Sequence, residues 1–294
     1  MVECLNIRGN TWYFPSPTNI GLVKTGDAEV VLIDSGNDKE TAKKVFSTLQ
    51  AKSWTLTMIV NSHSNADHIG GNAFLYEKTR CRIATTGLES TLVEYPILEP
   101  SFLFGGFPPS PLRNKFLLAQ PSTVSDIVTA GQIPGTLLQV IPLPGHFMDM
   151  IGVMTQDNVF FVADSLFRKE ILDKYHIPFI YDVKSFLQTL ALIEQTKAEV
   201  FLPSHAEPTS DIRPLVHMNR EKVLELCEKI SQYCATALHF EGLLKKIFDS
   251  YGLTLNFNQY VLAGSTLKSF LSYLYDEKIV DAVFENNMLL WKRL

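Results

Sequence analysis

The chain has 294 residues, 46% of them apolar and 19% charged, a length and composition that predict one large globular domain plus a small one around a sizeable core. Its net charge of −5 makes a polyanion an unexpected partner and no apolar run approaches bilayer-spanning length, so neither nucleic acid nor a membrane is expected. The N-terminal Met1-Val2-Glu3-Cys4-Leu5-Asn6 lacks a basic segment followed by an apolar one. Cys4, Cys81, Cys227 and Cys234 form no CxxC or paired framework, and the two features together predict free thiols and a cytoplasmic protein.

In chain order, short apolar runs predict strands over residues 4–7, 11–14, 20–24 and 29–34, then a helix over 39–50 with Val45, Phe46 and Leu49 on its apolar face. The β-branched run Leu56-Thr57-Met58-Ile59-Val60 predicts a buried strand. Directly after it comes His63-Ser64-Asn65-Ala66-Asp67-His68-Ile69-Gly70-Gly71, with two imidazoles and a carboxylate within six residues. Neutral imidazole nitrogen and carboxylate oxygen suit zinc, iron or manganese without any thiolate. The plainer alternative is a polar loop in which Asp67 or Asn65 caps the next helix. That helix is expected from about residue 72, followed by a strand over 81–84.

Residues 95–121 break the rhythm with six prolines and Gly105-Gly106, so long regular structure is not expected there. Phe102, Phe104, Phe107 and Phe116 in this segment suit either a hydrophobic lid or wall over a pocket, or packing into the core or a subunit contact. Strands follow near 138–141, 151–155 and 159–162, then a helix over 183–195, capped by Asp182, and a strand over 199–202. Three of these strands end at a ligand-type residue: His146 after Pro144-Gly145, Asp164 after Val162-Ala163, and His205 after Pro203-Ser204. Any one of them suits a core histidine or a cap. Four strand ends each delivering a His or Asp point instead to a metal site held by a sheet. His176, His217 and His239 read as loop or structural residues.

On these residues the chain resembles the metallo-β-lactamase-fold superfamily. The strand and turn Val30-Val31-Leu32-Ile33-Asp34-Ser35-Gly36, the His-x-x-x-Asp-His-x-Gly-Gly loop, Pro144-Gly145-His146, Ala163-Asp164 and Pro203-Ser204-His205 follow in that family's order, over about the first two-thirds of the chain. The resemblance implies an α/β (α+β) fold, an αββα four-layer sandwich over 1–212, and a first metal site from His63, position 65 and His146. It implies a second site from Asp67, His68 and His205, with Asp164 bridging both. The family pattern has His at position 65, where this chain has Asn65. An amide oxygen is a weak donor for zinc beside imidazole, so the second site is expected to be strong and the first weak, empty or filled by a harder metal.

The expected function is metal-dependent hydrolysis of an ester, thioester, lactam or lactone, with an activated water as nucleophile and Asp67 and Asp164 accepting or relaying its proton. One or two zinc ions are expected, with iron or manganese as alternatives. The second class of function is a metal-binding or regulatory protein with a reduced or vestigial catalytic site, or an iron-binding relative of the flavodiiron type, in which Glu stands at this position. The partner is a small-molecule substrate, with an apolar portion if the phenylalanines form a lid.

Past His205, apolar residues recur at helical spacing over 211–234, 241–250 and 265–276. Two apolar runs joined by Asn286-Asn287 then predict a β-hairpin. Three helices and a hairpin over 213–294 resemble the small winged-helix domain appended to some proteins of the same superfamily. From residue 215 onward, nine Lys/Arg oppose nine Asp/Glu, without the basic face of a DNA reader, so packing or homodimerisation is the expected role.

Overall fold

The computed structural model describes residues 3–294; Met1 and Val2, part of the stretch read for a leader, lie outside the described residues. The chain opens with β1 (Leu5–Arg8), β2 (Thr11–Phe14), β3 (Ile20–Lys24) and β4 (Glu29–Ile33), paired antiparallel in sequence order. After α1 (Lys39–Ala51) the sheet continues in parallel through β5 (Thr55–Val60), the short α2 (Ala66–Ile69), α3 (Asn72–Thr79) and β6 (Arg82–Thr85). Asp38 starts α1 by accepting the Thr41 N–H, and Ala42, Val45, Thr48 and Leu49 turn one face onto the sheet. Helices α4 (Gly87–Glu94) and α5 (Leu98–Phe104) precede β7 (Asp126–Ile127), which closes a seven-stranded sheet ordered β1 to β7.

The second sheet is built from β8 (Gly131–Gln132), β9 (Gln139–Pro142), β10 (Ile151–Met154), β11 (Val159–Phe167) and, beyond α6 (Lys169–Tyr175) and α7 (Val183–Gln195), β12 (Val200–His205). Only β11 and β12 run parallel in it. Val31, Ile33, Met58 and Val60 of the first sheet pack on Val140, Val153, Phe161 and Leu202 of the second, forming the core between the sheets. A separate core joins the outer face of the first sheet to α1 and α3. The outer face of the second is covered by α7, α8 (Arg213–Tyr233), α9 (Phe240–Ser250) and α10 (Phe257–Asp276) in one continuous apolar cluster. Helix, sheet, sheet, helix is the four-layer order expected from the sequence. The chain ends in the hairpin of β13 (Val280–Glu285) and β14 (Met288–Arg293), turning at Asn286 and Asn287, both at positive φ. No helix among the described residues is long and apolar enough to cross a membrane.

Several boundaries differ from expectation. β11 does not stop at Val162 but runs through Asp164 to Phe167, because Asp164 and Ser165 are buried polar residues that a hydropathy reading takes for a strand end. Helix α10 begins at Phe257 rather than residue 265, with the Asn256 side chain capping the Gln259 N–H. The segment 95–121 holds α5 and one 3₁₀ turn over Ser110–Leu112, and no longer element. Its Phe102, Phe104, Phe107 and Phe116 are not core residues: they are 37%, 41%, 73% and 60% exposed.

Candidate metal centre

The site forms on one edge of the sandwich, where β4, β5 and β12 end and β11 carries Asp164 within the strand. Gly71 lets the motif helices approach this edge: a Cβ there would lie 2.4 Å from the Ser35 carbonyl oxygen, and Ser35 N–H bonds the His68 carbonyl at 2.8 Å. A register shift in the β11–β12 pairing falls at Ala163, which sits at φ +49°, a left-handed conformation that costs a non-glycine residue on the order of 1–2 kcal/mol. The bulge re-aims Asp164 into the cluster of histidines.

Two groups of ligand-type atoms come together. Those of His63, His146 and Asp164 lie within 4.8 Å of one another, as do those of Asp67, His68 and His205. Each imidazole spends Nδ1 on a neighbour and turns Nε2 inward. His68 Nδ1 is 2.8 Å from Asp34 Oδ2, His146 Nδ1 is 2.9 Å from the Phe179 carbonyl, and His205 Nδ1 is 2.7 Å from the Pro17 carbonyl. His63 Nδ1 is 3.0 Å from Ser62 Oγ, whose own hydrogen goes to Asp34 Oδ2. With Nδ1–H donating, each imidazole in its neutral form keeps the Nε2 lone pair for the interior, the tautomer a metal ligand requires.

Asp164 lies between the groups: Oδ1 is 3.1 Å from His68 Nε2, and Oδ2 is 3.1 Å from His205 Nε2 and 3.6 Å from His146 Nε2. Asp67 Oδ2 is 3.5 Å from His205 Nε2 and accepts from Thr18 Oγ1 at 2.8 Å. His63 Nε2, His68 Nε2 and Asp164 Oδ1 are buried without a hydrogen-bond partner; the 3.1 Å approach of the last two lacks hydrogen-bond geometry. Buried lone pairs left facing one another are costly, and a divalent cation between them removes that cost. The donor set fits such an ion: imidazole nitrogens and carboxylates, no thiolate.

Charge divides the two groups. Burial pushes His63 well down, reinforced by His68 beside it, and burial likewise lowers His146. Burial acts in the same sense on His68 and His205 but is outweighed by carboxylates: Asp164, Asp67 and Asp34 raise His68 well above its usual value, and Asp164 and Asp67 raise His205 to about 9. Burial would raise Asp164, yet His205 and His68 hold it well below the carboxylate range.

Asn65 is the seventh expected residue, and it is at the site: Oδ1 lies 3.1 Å from His146 Nε2. It occupies the N-cap position of α2 without making a side-chain cap bond. Three carboxylates stand behind the site: Asp34, which the sequence shows only as part of the turn after β4, and Glu89 and Glu99, which the sequence reading does not single out. Asp34, at φ +62°, accepts from Ser62 N, Ser62 Oγ and His68. Glu89 on α4 accepts from Ser64 N–H, Ser64 Oγ and Asp149 N–H, tying the motif loop to the His146 loop; burial raises it. Glu99 on α5, 5% exposed, accepts from Asn65 Nδ2 at 2.7 Å, and burial pushes it well up. The available signal was a lone carboxylate among apolar neighbours, Ile97-Leu98-Glu99-Pro100. The remaining histidines stay outside: His176 stacks on Tyr251, His217 pairs with Glu194, and His239 caps α9.

The family model described as the metallo-beta-lactamase superfamily matches residues 13–205. Proteins named hydroxyacylglutathione hydrolase from Rhodopseudomonas palustris (strain BisA53) and Nitrobacter hamburgensis are 32% and 31% identical over 131 residues. Those matches take in 44% of this chain and 42% of each relative, so less than half of the relatives' length is spanned. Among solved structures, a beta-lactamase domain protein from Burkholderia ambifaria superposes with TM-score 0.75 at 16% identity, covering 99% of this chain and 94% of that one. A metallo-beta-lactamase family protein from Thermus thermophilus gives 0.74 at 18% identity, covering 100% and 98%. At these identities the two structures share the fold.

Proposed function

The chain belongs to the metallo-beta-lactamase superfamily, and from that premise we propose that it is a metal-dependent hydrolase of a small acyl substrate, a thioester first, with ester, lactone and lactam as the wider class. The observation that carries this is the convergence of four Nε2 lone pairs, each with its Nδ1 committed elsewhere, on the buried Asp164. His63, His146 and Asp164, with Asn65, would hold one ion. Asp67, His68 and His205, with the same Asp164, would hold a second. Zinc is the first choice for this donor set, with iron or manganese the harder alternatives. Bound divalent cations lower the pKa of water and polarise a carbonyl oxygen.

The chain's own residues supply the rest. Asp164 is held ionised by His205 and His68 and keeps the two groups of ligands in register. Asp67 is the more exposed carboxylate, its side chain 31% accessible and fixed by Thr18, and it accepts the proton of the attacking water and passes it to solvent. Phe102 meets Tyr181 edge to face at 5.6 Å, and the Tyr181 N–H bonds the His146 carbonyl at 3.2 Å, so Phe102, one of the exposed aromatics of segment 95–121, reaches the His146 side of the centre. This apolar rim suits an acyl group with an apolar portion. The name of the relatives, hydroxyacylglutathione hydrolase, describes removal of an acyl group from glutathione, which is why a thioester leads. Helices α8 to α10 with the terminal hairpin form the proposed winged-helix-like unit over 213–294, used for packing or homodimerisation.

The test is metal per chain on protein purified without chelator, together with turnover of thioester, ester and lactone panels before and after chelation. Close to two ions and chelator-reversible turnover is the expected result. No bound metal, or turnover indifferent to chelation, would overturn it. Asn65 favours the second reading, a metal-binding protein with reduced catalysis, which one ion per chain and no turnover would select.

A further inference from the structure

Glu99 is the strongest feature the reading above leaves unused. It belongs to α5, in the proline- and phenylalanine-rich segment far in sequence from every ligand loop, yet its carboxyl is buried at the centre. Among the described residues its one hydrogen bond is from Asn65 Nδ2. Glu89, the neighbouring buried carboxyl, is different: its oxygens are spent on Ser64 and Asp149, and it braces loops. A buried carboxyl with a single partner is costly to the fold, and the partner here lies at the metal-ligand cluster.

We infer that Glu99 is a positioning residue that turns Asn65 into an oxygen ligand, so that the pair Asn65–Glu99 stands in for the missing imidazole. The inference rests on the metal-centre reading above. An asparagine amide has two ends. With Nδ2 against Glu99 Oε1 at 2.7 Å, Oδ1 faces His146 Nε2 at 3.1 Å, on the side where His63, His146 and Asp164 converge. The flipped amide would turn N–H groups towards a cation held by these ligands, which is repulsive. Glu99 selects the orientation with oxygen inward. Carboxylate-backed ligands bind metal more tightly and in one orientation, and loss of such a backing group lowers affinity about 10–100-fold. A neutral oxygen steered by the accepting carboxyl oxygen of Glu99 would thus complete three ligands to four around the first ion and make that ion, not the second, depend on α5.

Cobalt(II) titration of the chelator-stripped protein tests this, read by visible absorption and by competition with a chelator; the step lost in His146→Ala marks the first ion. Glu99→Leu removes the acceptor, with Glu99→Met in its place should the leucine variant not fold. Either is expected to weaken the first step about 10–100-fold and change its absorption band, leaving the second step as an internal control. Glu99→Gln, which keeps an accepting oxygen, is expected to retain most of the affinity. In an Asn65→Ala background, Glu99→Leu should cost nothing further. First-step affinity within about twofold of the parent in Glu99→Leu, or an equal loss with and without Asn65, overturns the inference while leaving the metal centre intact. A parent protein that takes up no cobalt sinks the centre itself, and this inference with it.

Discussion

The two halves of the centre hold similar ligands in opposite electrostatic states. His63 and His146 are almost wholly buried, and burial lowers both imidazoles; beside them, along with the proposed shared Asp164, lies the uncharged Asn65. Asp67, His68 and His205 sit among carboxylates that raise both imidazoles in the absence of a cation, and Asp67 and His205 lie nearer solvent. On the proposed assignment the first half would take an ion without releasing protons but, with a neutral amide in its set, would attract it weakly, whereas the second would exchange protons for it. Burial around His63 and His146 and carboxylates around His68 and His205 make the halves unequal in kind, and Asn65 would add a difference in strength.

The sharpest way to break this contrast is through the residue both halves share. Asp164→Ala is expected to weaken both ions by at least about 100-fold, since it removes the carboxylate proposed to bridge them and the one facing both His68 Nε2 and His205 Nε2 at 3.1 Å. Isothermal titration with zinc reads both steps. Loss of one step alone would mean that the halves are independent and Asp164 belongs to only one of them.

A smaller and one-sided effect is expected from Asn65→His. The imidazole restores a nitrogen donor to the first half, raising its affinity about 10–100-fold with the second half unchanged, as measured by chelator competition on the same protein. No gain in bound metal would count against the view that position 65 is simply a missing ligand, and would shift weight to Glu99, whose carboxyl is placed for an amide partner.

How far these features were legible in the sequence follows the same division between local and distant causes. Each ligand loop follows a short apolar run, so His63, Asp67, His68, His146, Asp164 and His205 announced themselves by position, and the strands and helices behind them by periodicity. Asp164 was placed at a strand end because polarity reads as exposure, whereas the strand continues through it as a bulge aimed at the site. Glu99 and Glu89 were invisible: a carboxylate becomes a bracing group only when the fold carries it to a partner 34 or 25 residues away, and nothing local encodes that. The start of α10 was missed for a similar reason. Its first turn, Phe257-Asn258-Gln259-Tyr260, buries no residue, and its cap, Asn256, lies among residues that periodicity ignores.

The smallest expected effect concerns the metal-free protein, where the two halves should respond to pH in opposite senses. His205 has a folded pKa of about 9 against a usual 6.5, so the native state binds more protons than the unfolded chain between those values. Its stabilisation is complete below about pH 6.5 and is lost as pH rises through about 9, a contribution on the order of 3 kcal/mol. His68 acts in the same direction. His63 and His146, with lowered values, contribute stability that is present above pH 6.5 and lost as pH falls. Between pH 6.5 and about 9 only the second half changes, so the melting temperature of chelator-stripped protein should fall by several degrees across that window. His205→Asn should flatten the fall, and a parent and variant with equal slopes would show that the carboxylates around His205 are not holding its proton. Metal should reverse the trend, because a cation takes the place of those protons and binds more tightly as they leave.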